Sequence, residues 1–132
     1  MIRDFVLPAA LLSLAQLTFC HGAQKAGEPA ANVIPAEMRG RWGITRADCD
    51  VTQGDNSGAM LVSSEMLGFP EFRARLATID EATPQRFSAS YTVTGAGERA
   101  MTLSLSSDGQ TLTRIETDPD AESVSSRYRR CD

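Results

Sequence analysis

"FSASYTVTGAGERAMTLSLS", residues 87–106, alternates between apolar and polar side chains in two runs separated by a glycine-rich break. Phe87, Ala89, Tyr91 and Val93 are interleaved with Ser88, Ser90 and Thr92, and Met101, Leu103 and Leu105 with Thr102 and Ser104. Successive side chains of a strand point to opposite faces, so each run has one apolar and one hydroxyl-bearing face. The "TGAG" between them, residues 94–97, predicts a hairpin. A second turn follows at "SDGQ", residues 107–110, where Asp108-Gly109 is a dipeptide that accepts the positive φ angles of a type I′ turn. The meander then enters a third strand at residues 111–117.

The same reading extends in both directions. Upstream, residues 58–62 and 66–79 predict a hairpin around "SSE", with Pro70 marking a bend or an edge because proline has no donor for a ladder. Downstream, "DPDA", residues 118–121, turns the chain into a last strand ending "SSRYRRC". No stretch after residue 23 has a helical period of useful length, although "IPAEMRG", residues 34–40, predicts one short turn across a barrel end. Short strands joined by consecutive hairpins predict an all-β fold, a small antiparallel up-and-down β-barrel of about seven or eight strands, whose closure removes exposed edges. The expected inward set is Trp42, Ile44, Phe87, Tyr91, Val93, Met101, Leu103, Leu105 and Leu112, bulky enough to nearly fill so small a barrel. Phe87, Ala89, Tyr91, Met101 and Leu103 are the candidate lining of a core or of a ligand cup.

The 132-residue chain divides into residues 1–22, 23–33 and 34–132. The first part reads as a signal peptide or lipoprotein leader: Met1 and Arg3 precede an apolar run from Phe5 to Phe19 that is too short and interrupted for a stable membrane span. "LTFC", residues 17–20, makes Cys20 a candidate lipid anchor; Ala15, Gly22 and Ala23 offer ordinary cleavage points instead. Residues 23–33 read as a flexible tail or tether. About 105 to 110 residues then remain, one small domain able to bury roughly 60 to 65% of its unfolded surface.

With Cys20 removed or lipidated, Cys49 and Cys131 are an even pair in an exported chain, which favours a disulfide. It would close a loop of about 80 residues and stabilise by roughly 4 kcal/mol. The expected location is the periplasm or envelope.

Charge and residue types argue against several functions. The 17 acidic residues outnumber the 13 lysines and arginines, which disfavours a nucleic-acid partner. The single histidine, His21, lies at the leader boundary. Asp48, Asp50 and Asp55 in "DCDVTQGDNSG" fail the spacing of a calcium loop and read as a solvated turn. No spacing singles out an acid and base pair among Glu65, Glu71, Glu98 and Glu116. The expectation is a protein with no cofactor, no metal and no enzymatic activity. Arg73 and Arg75 should share a strand face and, with Arg86, form either a merely solvated face or an exposed basic stripe able to meet an acidic partner.

A short turn, then Gly40-Arg41-Trp42 opening the first strand, then arginines 127, 129 and 130 on the last, resembles the lipocalin-like (calycin) pattern. That resemblance implies Trp42 at a closed barrel end beneath an arginine of the final strand, with Gly40, Trp42, Arg129 and Arg130 as the barrel-end signature. The leader, the Gly-x-Trp and the nearby half-cystine are also similar to small periplasmic inhibitors of secreted serralysin-type metalloproteases, whose N-terminal tail inserts into the protease cleft. This chain departs from them in placing its second cysteine at its end and in lacking a match through the middle strands. The two resemblances imply an exported binding module. Its partner would be an exported protein, met through residues 23–33 and the loop 52–58, or alternatively a small hydrophobic ligand held inside the barrel. A membrane would be met only through a lipid anchor.

Overall fold

A computed structural model describes residues 32–132 apart from Gln53 and Asp55. The leader, Cys20, His21 and the tail up to residue 31 lie outside the described residues. Eight strands follow in order: β1 (Gly40–Gly43), β2 (Ala59–Val62), β3 (Met66–Gly68), β4 (Arg73–Ala82), β5 (Arg86–Val93), β6 (Gly97–Leu105), β7 (Thr111–Thr117) and β8 (Val124–Arg130). Each pairs antiparallel with the next, and β8 returns to β1, so the sheet closes. The result is an all-β, up-and-down barrel, compatible with a lipocalin-like barrel. Two short 3-10 helices, Ala36–Met38 and Arg46–Cys49, flank β1.

The alternation sets the register. Phe87 lies opposite Leu103 and Ala89 opposite Met101 across β5 and β6, while Leu112 of β7 lies opposite Tyr128 of β8. Trp42 faces Met60, and Leu67 faces Ala74, on the other side of the barrel. These side chains form one buried cluster, joined from below by Ile34 and Met38. Directly opposed residues of an antiparallel pair share a face, so each ladder brings its apolar side inward as a unit.

Four local expectations are corrected by the structure. Residues 66–79 do not form one strand: the chain breaks at Phe69–Phe72, around Pro70, and this break makes the eighth strand. Ile44 faces solvent, because β1 ends at Gly43 and the chain leaves the sheet, donating the Ile44 N–H to Gly58 O. The 107–110 turn is not type I′, since only Gly109 has positive φ (73°), whereas that turn needs it at both central residues. Arg86 pairs with Glu81 near the far end of β4 and β5 from Arg73 and Arg75, so the three arginines form no continuous stripe.

Candidate functional site

One barrel end is closed by a tryptophan and an arginine. Trp42 and Arg130 are directly opposed on β1 and β8, both pointing inward, and the Arg130 guanidinium lies 4.2 Å from the indole centroid. Arg130 donates from Nε to Gly109 O (3.1 Å), from Nη1 to Arg39 O (3.0 Å) and from Nη2 to Glu37 O (2.7 Å). The planar fork thus ties the β6–β7 turn to the segment entering β1, with geometry that a lysine cannot reproduce. The Trp42 indole N–H donates to Met38 O (2.9 Å), which fixes the first 3-10 helix across the opening. Gly40 has φ +128°, and a Cβ there would stand 3.2 Å from Arg130 Nη1. The glycine of the Gly-x-Trp therefore serves both the backbone and the arginine. Arg129 alternates to the outer face, opposite Gly43, and Arg127 lies outward with it.

The β1–β8 seam has only the register pairs Trp42–Arg130 and Gly43–Arg129, and it carries the Cys49–Cys131 disulfide, with Cα atoms 5.4 Å apart. The second 3-10 helix brings Cys49 back to the seam. Asp48 anchors that helix: its Oδ2 accepts from Thr45 N–H (2.7 Å) and Thr45 Oγ1 (3.0 Å), and its Oδ1 from Gly58 N–H (3.0 Å). One buried carboxylate thereby joins the start and the end of the long β1–β2 connection.

The Thr45 backbone N–H, with the Thr45 hydroxyl and Gly58 N–H, holds the Asp48 carboxyl below its ordinary value of 3.8, against the opposing effect of burial. A depressed folded-state pKa means that the unfolded chain binds more protons, so this stabilisation is present above 3.8 and is lost as pH falls through the folded value. Asp48→Asn, which turns an amide donor toward donors, should lower stability by about 1 to 2 kcal/mol at neutral pH. Urea unfolding as a function of pH should show that deficit shrinking in acid.

The opposite end carries charged side chains that are absent from the inward set expected from the sequence. Leu112, Arg114 and Glu116 follow one another on the inner face of β7. Arg114 Nε donates to Tyr128 Oη (3.2 Å), its Nη1 to Glu116 Oε2 (2.8 Å), and its guanidinium lies 4.9 Å from the Phe69 ring centroid. Arg99, opposite Tyr91, reaches Asp118 (2.8 Å) and Glu116 (4.0 Å). Strict alternation from Leu112 was the signal that could have placed Arg114 and Glu116 inside. Both arginines are matched by acids here, so this end is a polar plug.

Phe87, Ala89, Tyr91, Met101 and Leu103 are all buried on the inner face. Burial pushes the Tyr91 phenol pKa up, and its hydroxyl has no hydrogen-bond partner in the structure. Glu65, Glu71 and Glu98 are exposed, and Asp48 and Asp50 do not join a third ligating side chain in any metal-binding group among the described residues.

The outer surface of the seam differs from the rest. Ile44 and Val51 remain 49% and 65% exposed, beside Arg46, Arg129 and the disulfide, around an open depression of about 1150 Å³. Leu61, also 49% exposed, is the cross-strand neighbour of Arg41 on the outer face. No protein-family model matches the chain, and no curated protein or solved structure is significantly similar to it.

Proposed function

We propose that this chain is an exported, non-enzymatic binding module that recognises another protein with its outer surface, in the manner of a hydrolase inhibitor or an envelope adaptor. The observation that carries the proposal is the filled interior: Trp42, Phe87, Tyr91, Met101, Leu103 and Leu112 are each no more than 2% exposed. Inner side chains committed to one another leave loops and the outer wall for recognition. A disulfide is consistent with an oxidising compartment, which supports export. The pairing of Trp42 with Arg130 supports kinship with lipocalin-like barrels and, more distantly, with periplasmic metalloprotease inhibitors.

Photo-cross-linking in the producing cell tests the proposal. A photoreactive residue placed in turn in the tail 23–33, in the loop 52–58 and on the outer wall should give a protein adduct of defined mass from at least one of these regions. Adducts to lipid alone, or none from any position, would overturn it.

A second reading, a binder of small hydrophobic ligands, is favoured by one observation, the unpartnered Tyr91 hydroxyl. The two readings separate at Tyr91→Phe. In a filled scaffold, removing an unmet polar group should raise stability by about 1 to 2 kcal/mol. In a cup, the same change should weaken binding of an apolar fluorophore such as cis-parinaric acid. Urea unfolding and fluorescence titration read the two outcomes.

A further inference from the structure

We infer that the outer face of the β1–β8 seam is the surface that docks an acidic segment of the partner protein, an inference that rests on the protein-binding function proposed above. Arg41, Arg127 and Arg129 share that face: Arg41 O accepts from Cys131 N–H, Arg129 lies opposite Gly43, and Arg127 is the next outward residue of β8. Arg46 joins them on the 3-10 helix that the disulfide tethers to the seam. All four are exposed, and among the described residues none of them makes an ion pair or a side-chain hydrogen bond.

That concentration is notable in a chain of net charge −4. Elsewhere Arg86, Arg99 and Arg114 each meet a carboxylate, and Arg73 and Arg75 are two further exposed arginines on β4, so the seam holds the larger group. At the seam Asp48 is buried and turned to Thr45 and Gly58, Asp50 accepts from the Thr52 N–H and hydroxyl, and Asp132 borders the depression. Exposed arginines gathered on one face of an acidic protein steer and orient an acidic partner.

Apolar surface coincides with the charge. Of the four large hydrophobic residues most exposed among those described, Ile44, Val51 and Leu61 lie at this face, and only Val124, at the far end of β8 opposite Glu116, lies away from it. Apolar anchors within an arginine rim are the composition of a protein interface. A concave wall receives side chains of a partner, whereas a planar anionic bilayer would meet only its rim, and a phosphate backbone has no use for the apolar anchors. The disulfide and the Asp48 hydrogen bonds hold the loop in place beforehand, which reduces the ordering cost of binding.

The experiment uses the full chain in the producing cell, with p-benzoylphenylalanine at Val51 or Leu61 on the seam and at Asp80 or Thr92, exposed on β4 and β5. The seam positions should give a protein adduct whose mapped cross-linked peptide is rich in Asp and Glu. The charge reversals Arg46→Glu and Arg129→Glu together should cut its yield about tenfold, with Trp42 fluorescence unchanged. A neutral or basic peptide, a yield unaffected by reversal, or an adduct to lipid or nucleic acid in place of protein would overturn the seam as an acid-docking surface. Protein adducts from Asp80 or Thr92 alone would also overturn it while leaving the protein-binding function standing. Absence of protein adducts from these positions, the tail and the 52–58 loop alike would remove both.

Discussion

Replacing Cys49 and Cys131 together by serine should lower the unfolding free energy by about 4.5 kcal/mol, the chain-entropy effect of opening a loop of this length. The two residues are separated by 82 positions, so the bond constrains nearly all of the folded domain. The loss should also have a place. β1 and β8 share only two register pairs, as few as β2 and β3 and against eight between β5 and β6, and theirs is the joint that the disulfide spans. Amide hydrogen exchange in the serine variant should therefore rise first at Trp42, Gly43, Arg129 and Arg130, before β5 and β6 respond. A stability loss below about 1 kcal/mol, or uniform acceleration of exchange, would show that the barrel closes without its staple.

Trp42→Ala should cost about 3 to 5 kcal/mol, the range for removing a fully buried large aromatic side chain. Its indole is 0% exposed, holds the Met38 carbonyl and supports the Arg130 guanidinium, so the truncation opens a cavity and strands polar groups at once. Arg130→Ala should lose less, about 2 kcal/mol, because water can reach part of what the guanidinium satisfies. The double-mutant cycle between them should return a coupling of about 1 kcal/mol or more, the size of a partly desolvated cation–π contact. Additive effects would mean that the two side chains close the barrel end independently. Arg130→Lys should behave closer to alanine than to arginine, since one ammonium cannot hold three carbonyls on two segments and still cover the ring.

Much of the barrel was legible because β5 and the Met101–Leu105 half of β6 alternate without interruption, and unbroken period-two patterning fixes face and partner together. β4 was harder. Its pairing with β5 shifts register after Leu76 and again after Ile79, so its inward residues run Ala74, Leu76, Ile79 and Ala82 and no single alternation describes "RARLATIDEA". Ile44 was misplaced for a related reason: alternation continues through Trp42 to Ile44 in sequence, but nothing local announces that β1 stops at Gly43. The charged plug was hidden by a habit of placing arginine and glutamate outside. Arg114 and Glu116 occupy inner positions because each neutralises the other beside Tyr128 of the next strand, with the Arg114 guanidinium over the sequence-distant Phe69 ring. The arginine and apolar surface of the seam was equally invisible, since Arg41, Arg46, Leu61 and Arg129 become neighbours only when the first and last strands meet.

Native mass spectrometry of the protein purified without denaturation from the cells that export it tests the central claim most directly, that this is a filled barrel acting through its outer wall. The account predicts the oxidised polypeptide with the Cys49–Cys131 bond intact and no small molecule retained inside. A stoichiometric apolar ligand, released on unfolding and lost in the Tyr91→Phe variant, would contradict it and make the interior the binding site.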